Sequence, residues 1–262
     1  MTHYEIFARC FPELRLTEAQ FNELSGMGQG TLFESEGGFA LVQKNNIRLL
    51  CVLPEFRERG IGSGLLAQCE EFIRESGFNR VVLGGADSEL FIGAELSSAP
   101  FFEKRGYVLG GNIAEMCGEA VALQLHQQAP AGVDFGWEKC GTERLSAAVS
   151  SVDEDWVQYF GEGECFCAYV GGEISSFCLV EDDVTCMFSD GHSRVGSVGC
   201  VGTVPAFRRR GIGLAMVAEA SRILLERRCD RIFIHYTGVY DWYAKLGYQT
   251  QLWVRLGGKI LP

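Results

Sequence analysis

The sequence predicts a mixed α/β fold, an α+β arrangement in which a mostly antiparallel mixed sheet flanked by helices is built twice within 262 residues. Two observations carry this. From Gly199 to Leu225 a β-branched run, a proline turn, a glycine pair and an apolar-periodic segment follow one another, and Leu49 to Ile73 repeats the succession. Pro54, Phe56, Arg57, Gly60, Ile61 and Gly62 match Pro205, Phe207, Arg208, Gly211, Ile212 and Gly213 at one offset of 151 positions. A lone G-x-G is weak because glycine turns are common, but two copies in register mark an internal repeat. The length suits two ordinary domains. The expected modules are 1–127 and 137–262, joined by a polar Pro/Gly-containing linker near 128–136.

In the first half, Thr17 with Gln20 three residues on is a capping-box signal ahead of Phe21 and Leu24, predicting a helix over 17–24. Thr31–Glu36, Phe39–Gln43 and Ile47–Leu53 then read as strands of an antiparallel meander, separated by Gly37-Gly38 and Lys44-Asn45-Asn46. Ile61, Leu65, Cys69 and Phe72 make one helical stripe. Arg80–Leu83 follows that helix directly, so right-handed crossover places it parallel to the strand ending at Leu53. A loop-like passage, 84–100, precedes PFFEKRGY, which ends at Tyr107; strand-like residues lie beyond it.

The second half repeats this plan. Helices are expected over Glu143–Ser151 and Glu154–Phe160, and strands over Phe166–Val170, Ile174–Glu181, Ser197–Val204 and Arg231–Tyr236. The helix stripe Ile212, Met216, Ala220 and Ile223 copies the first, and YDWYAKLGY matches FFEKRGY at an offset of 141. Phe39 to Val42 aligns with Phe177 to Val180 at an offset of 138, which makes the hairpin over 182–196 thirteen residues longer than its counterpart. This hairpin and the 84–100 passage are where acceptor contacts are expected, because loops on a rigid scaffold vary most.

A formal net charge of −11 argues against nonspecific nucleic-acid or anionic-membrane binding, which need a basic surface. No apolar run is long enough to span a bilayer, and the N-terminal stretch lacks the features of a secretory signal, which points to the cytoplasm. The eleven cysteines fit reduced core residues, and Cys165-x-Cys167 has no second ligand pair at zinc-site spacing, so no metal is expected. Against this acidic background the R-E-R-G and R-R-R-G stretches are local exceptions. Each opens a helix whose unpaired N–H groups and dipole, with no side chain at the glycines, make an anion cradle suited to phosphate. Solvated turn arginines are the plainer alternative for either copy taken singly.

A strand, Pro-x-Phe, R-x-x-G-x-G and a helix, followed by [FY]-x-K-x-G-[FY], resembles the GNAT acetyltransferase superfamily. The copies are Arg57 to Gly62 with Phe102 to Tyr107, and Arg208 to Gly213 with Tyr243 to Tyr248. The resemblance covers the latter two thirds of each half. It implies a sheet splayed at the strand before the glycine turn, with acetyl-CoA as co-substrate and its pantetheine arm pairing with that strand's backbone. Leu50, Cys51 and Val52 would take that role in the first half, and Val201, Gly202 and Thr203 in the second. The pyrophosphate would lie on the amides of Arg57, Glu58, Arg59, Gly60, Ile61 and Gly62, and of Arg208, Arg209, Arg210, Gly211, Ile212 and Gly213.

The reaction the resemblance implies is acyl transfer from a thioester to the primary amine of a small molecule or peptide. An amide N–H polarises the carbonyl, and an acid protonates the departing thiolate. The tyrosine that often supplies this proton in the family corresponds to Tyr243, whereas Phe102 in the first half cannot donate. The C-terminal module is therefore the expected catalytic one. Tyr243 also reads as a packing aromatic beside Trp242 and Tyr240. For a general base, His235 acting through a water competes with a reading of the same residue as a core histidine. Glu173, Glu181 and Asp183 are further candidates that read equally as solvated hairpin charges.

Two other classes stand beside the enzyme. In one, a module holds coenzyme A without chemistry, as a sensor or scaffold, which Phe102 makes attractive for the first half. In the other, the chain is a dinucleotide-dependent oxidoreductase. Both copies lack the third glycine of G-x-G-x-x-G, and Asp87 alone partly matches the acid expected after the next strand. No G-x-x-x-x-G-K-[ST] occurs.

Overall fold

A computed structural model describes residues 1–85 and 90–262. Capping boxes open the first two helices. Thr2 accepts from the Glu5 N–H at 3.1 Å and its own N–H donates to the Glu5 carboxylate at 2.7 Å, starting α1 (His3–Cys10). Thr17 and Gln20 do the same for α2 (Glu18–Ser25), which ends on Gly26 at φ +70°. The meander follows as β1 (Thr31–Ser35), β2 (Gly38–Gln43) and β3 (Asn46–Val52), all antiparallel, with Phe39 opposite Cys51. Then come α3 (Ile61–Glu75) and β4 (Arg80–Leu83), the latter parallel to β3 as crossover requires. The 84–100 passage contains the short β5 (Ala94–Glu95) and leads into α4 (Ala99–Glu103) and β6 (Val108–Glu119). Asp87 and the rest of 86–89 lie outside the described residues.

The second half comprises β7 (Val133–Lys139), α5 (Glu143–Ser150), β8 (Glu164–Val170), β9 (Glu173–Glu181), β10 (Val195–Thr203), α6 (Ile212–Glu226), β11 (Arg231–Thr237), α7 (Tyr240–Ala244) and β12 (Gln249–Ile260). Residues 133–136, read from sequence with the linker, already belong to β7, which starts where the Val133 N–H bonds back to Pro130. The segment Glu154–Phe160 is a 3-10 helix opened by the Asp153 carboxylate on the Asp155 N–H, with the Phe160 carbonyl held by the Gly141 N–H. Both motif helices bury a stripe that drifts by one residue from the expected one. Ile73 and Leu224 reach the core in place of Phe72 and Ile223, as 3.6 residues per turn demands.

The chain forms two compact units. One consists of 1–115, 185–192 and 251–262, the other of 116–184 and 193–250. The C-terminal strand β12 thus belongs to the first unit, where the strand order is β1-β2-β3-β4-β12-β6. It pairs antiparallel with β4, Gly258 opposite Val82, and Arg255 ties it to the Gly110 carbonyl at 2.8 Å and the Glu103 carboxylate at 2.8 Å. Residues 185–192, the tip of the long hairpin, lie in this unit as a packed segment with Cys186 and Met187 buried and Gly191 against Thr17.

In the second unit, residues 116–119 of β6 are followed by β11, β10, β9, β8 and β7 in that order, with β10 parallel to β11. Cys165 and Cys167 share the inner face of β8, their sulfurs 3.6 Å apart. All eleven cysteines are free. No group of three or more His, Cys, Asp or Glu among the described residues is arranged to hold a metal, and no described helix is long and apolar enough to cross a membrane.

On β7, Glu138 is 6% exposed and accepts from Arg144 Nε at 3.1 Å and Tyr169 Oη at 3.0 Å. The Arg144 guanidinium holds its carboxyl below the usual glutamate range, against the opposing effect of burial. A depressed folded pKa stabilises the fold above the unfolded value, and that stabilisation is lost as pH falls through the folded value. Between about pH 5 and 3 the melting temperature of the native chain should therefore drop more steeply than that of Glu138→Gln. Parallel melting curves for the two would contradict this.

Candidate active site

The two motif turns are built alike. In each, a 3-10 turn (54–56, 205–207) leads into an extended arginine, Arg57 at φ −67° and Arg208 at φ −64°. A left-handed residue follows, Glu58 at φ +63° and Arg209 at φ +62°, and then a left-handed glycine, Gly60 at +83° and Gly211 at +75°. An L side chain is disfavoured at such angles, which is why glycine stands immediately before each helix. A Cβ built on Gly60 or Gly211 meets nothing within 4 Å, so the space over each turn is open. Neither α3 nor α6 has a side-chain cap, and their first-turn N–H groups face that space unclaimed.

The arginines hold the turns. Arg57 Nε donates to the Val52 carbonyl and Arg208 Nε to the Thr203 carbonyl, each at 3.0 Å. Arg59 lies over Phe56 and Arg210 over Phe207, and Arg210 also donates to the Ala206 carbonyl. The guanidinium groups thus brace the backbone of each turn.

The strands before the two turns pair in parallel over only part of their length. Pairing of β3 with β4 covers Asn46 and Ile47, and pairing of β10 with β11 covers Val195 to Ser197. Among the described residues the parallel ladders do not reach Leu50, Cys51 and Val52, or Val201, Gly202 and Thr203; on the other side Leu50 to Val52 pair with β2 and Gly202 and Thr203 with β9, while Val201 lies in a bulge. A bulge interrupts β10 between Gly199 and Gly202, with Cys200 at φ +46°; in β3 the irregularity falls at Arg48. A bulge turns backbone groups out of the ladder. At Gly202 a Cβ would come within 2.2 Å of the Phe177 ring, so only glycine lets that ring pack beneath the strand. Gly202→Ala should cost about 1–3 kcal/mol through overpacking, seen as a lowered melting temperature; an unchanged one would show that the ring can move aside.

Tyr243 stands at the second opening. Its ring is 5% exposed, edge-on to Trp242 at 4.8 Å and to Tyr248 at 6.0 Å. Burial, reinforced by the Cys178 and Cys200 thiols, pushes its phenol well above the ordinary value, so it keeps its proton at neutral pH. Its hydroxyl makes no hydrogen bond to any described residue. Phe102 occupies the matching place in the first unit, edge-on to Tyr107 at 5.4 Å. Beside each second glycine lies an aromatic ring: Phe101 is 3.4 Å from a Cβ on Gly62, and Trp242 is 3.5 Å from one on Gly213.

Sequence reasoning missed two differences between the copies. Thr203 Oγ1 hydrogen-bonds Ser176 Oγ at 2.8 Å under Gly213, where the first copy has Val52 and Gly38. Arg105 stacks 3.8 Å over Phe101 and donates to Ser63 Oγ at 2.6 Å in the first turn of α3, where the second copy has Leu246. Of the base candidates, His235, Glu173, Glu181 and Asp183 are all exposed, and Glu181 accepts from Ser197 Oγ at 3.2 Å.

The geometry defines an α/β fold with two open glycine turns, each between a parallel-paired strand and the helix that follows it. Two family models match the chain: acetyltransferase (GNAT) domain over residues 20–109 and acetyltransferase (GNAT) family over 134–248. Its structure is similar to the glucosamine N-acetyltransferase region of a fungal multi-domain GH3 β-N-acetylglucosaminidase (TM-score 0.73, 20% identity), covering 97% of this chain and 36% of that one. The chain thus spans about a third of that protein's length. It is also similar to a GCN5-related N-acetyltransferase from Sphaerobacter thermophilus (TM-score 0.68, 20% identity, 98% and 90% covered). A tandem GNAT protein from the clavulanic acid biosynthesis pathway matches at TM-score 0.59 and 12% identity, with 99% and 96% covered. No curated protein sequence matches the chain. The chain belongs to the GNAT acetyltransferase family and carries two such domains in tandem. Membership implies acyl-CoA-dependent acetyl transfer to an amine acceptor.

Proposed function

We propose that this chain is an acetyl-CoA-dependent N-acetyltransferase whose C-terminal module performs the chemistry on a primary amine of a small molecule or peptide. The observation that carries the assignment is the pair Tyr243 and Phe102. They occupy matching places beside matching glycine turns, and one has a hydroxyl proton while the other has none. Bound acetyl-CoA would supply a thioester whose acetyl group passes to the amine nitrogen.

The chain's own groups have definable tasks in that reaction. Residues Arg208 to Gly213 present backbone N–H groups and the positive end of α6 to a diphosphate. The open edge of Val201, Gly202 and Thr203 offers strand-like pairing to an amide-bearing arm, and a backbone N–H in the Cys200 bulge polarises the reacting carbonyl. Tyr243 Oη gives its proton to the departing sulfur. The same backbone cradle recurs at Arg57 to Gly62, with the edge of Leu50, Cys51 and Val52.

Phe102 favours a second reading for the N-terminal module alone: it holds coenzyme A without chemistry. Arg105 adds a cation at the mouth of α3, which suits an anionic ligand there. A panel of amines, including polyamines, amino sugars and peptide N-termini, incubated with acetyl-CoA and followed by thiol release tests the proposal. At least one amine should release thiol in proportion to its own acetylation. Release indifferent to every amine would oppose it.

A further inference from the structure

The turn between β2 and β3 and the end of α2 border a cavity of about 290 Å³ in the first unit that acetyl transfer does not use. It lies at the start of β3, whereas the first glycine turn follows the end of that strand. The seven residues of β3 separate the two by about 20 Å at the rise of an extended chain. The lining is polar throughout: Arg48, Lys44, Glu23, Gln29, Gln43 and Asn46.

The floor is the Arg48 side chain, 9% exposed, and a β-bulge puts it there. Leu50 and Val52 pack against the core under α3, so strict two-residue alternation would turn Arg48 into the same apolar layer. Instead Val42 pairs with Ile47 and Leu41 with Leu49, which leaves Arg48 as the extra residue. Ile47 takes the place in the core, and Arg48 lies toward α2, its Cζ 3.9 Å from a Cβ built on Gly26. Bulges re-aim side chains in this way beside binding sites. Gln43 and Asn46 are opposite each other across a two-residue turn, which sets both amides on one face, and the Gln43 amide oxygen accepts from Arg48 Nη1. Lys44 lies in that turn at φ +54°. Glu23 and Gln29 form the other wall, on either side of the left-handed Gly26 that ends α2.

We propose that this cavity binds a free amino acid with a polar side chain, its carboxylate on Arg48 and Lys44 and its ammonium on Glu23. A guanidinium matches a carboxylate with two parallel bonds, and the Arg48 fork is already braced by Gln43. Lys44 and Glu23, both exposed and of opposite charge, sort the two ends of a zwitterion. The amides of Gln29, Gln43 and Asn46 bring donors and acceptors that a polar side chain pairs with and a hydrocarbon one leaves unpaired. The volume is at the small end for ligand pockets and suits a single amino acid rather than a nucleotide. Binding needs neither module to transfer acetyl, so this site stands independently of the function proposed above.

Scanning fluorimetry of the full chain with each of the common L-amino acids in turn, followed by calorimetry of the one that raises the melting temperature most, tests this. At least one polar amino acid should raise it and titrate at one equivalent per chain. The same compound lacking its amino group, or lacking its carboxyl group, should bind at least about tenfold more weakly, as loss of one charge-assisted bond implies. Glu23→Gln and Lys44→Asn change exposed residues only, and each should weaken the intact amino acid about tenfold, while Glu23→Gln should leave the deaminated acid unaffected. Arg48→Gln should abolish binding, and the two exposed variants test the site even where that buried one fails to fold. No melting shift with any amino acid, equal binding of the deaminated acid, or native affinity in both Glu23→Gln and Lys44→Asn would overturn the proposal.

Discussion

A chain ending at residue 250 should lose the folded state of its first unit. Strand β12 contributes Leu252 and Val254 to that unit, and the residue after it Leu261, at 6%, 0% and 7% exposure. Burial of such side chains stabilises by about 1.5–3 kcal/mol each, so the three together approach the whole stability of an ordinary domain, about 5–15 kcal/mol. Truncation also removes the ladder from Gly258–Ile260 to Arg80–Val82 and the Lys259–Glu70 ion pair at 2.9 Å, and it uncovers both neighbouring edges. Hydrogen exchange read peptide by peptide measures the effect. Protection should vanish in β3 and β4 and persist in β8, β9 and β10; a synthetic 251–262 peptide added in trans should restore part of it. Unchanged protection in β3 and β4 would mean that β12 is dispensable.

The largest catalytic effect is expected from Tyr243→Phe. The substitution keeps the ring in contact with Trp242 and Tyr248 and removes a hydroxyl that bonds to no described residue, so stability should hardly change. Loss of a general acid costs about 10²–10⁴-fold in kcat. The acetyl-CoA dissociation constant should stay within about twofold, because the cradle and strand edge are intact. The sign of the pH dependence follows from the raised phenol. Since Tyr243 remains protonated through the assayable alkaline range, kcat of the native enzyme should show no decline there attributable to this group. A Phe variant with native kcat would remove Tyr243 from the mechanism.

Most of what builds the two glycine turns was legible in the sequence because local chemistry determines it. Pro54 and Pro205 end the strands, Gly60 and Gly211 supply the left-handed step, and apolar stripes face α3 and α6 inward. Helix α1 was legible too: Thr2 followed by Glu5 is the same capping signal as Thr17 followed by Gln20, although the sequence reading left it aside. The placement of β12 with the first unit was not legible. A strand's partner is chosen by tertiary edges far away in sequence, and nothing in QLWVRLGGKI distinguishes β4 from β11 as its neighbour. The Cys200 bulge and the Arg105 clamp were hidden for the same reason. Each depends on a residue brought close by folding, Cys178 across the bulge and Ser63 in the first turn of α3.

The central claim is that the backbone turn before α6 grips acetyl-CoA. Calorimetric titration of the full chain with acetyl-CoA, native against Gly211→Val, addresses it most directly, since valine at φ +75° forces the turn out of shape without filling the space above it. The account predicts that the variant loses one binding equivalent, together with amine-dependent thiol release. A variant that titrates like the native chain would place the coenzyme elsewhere and contradict it.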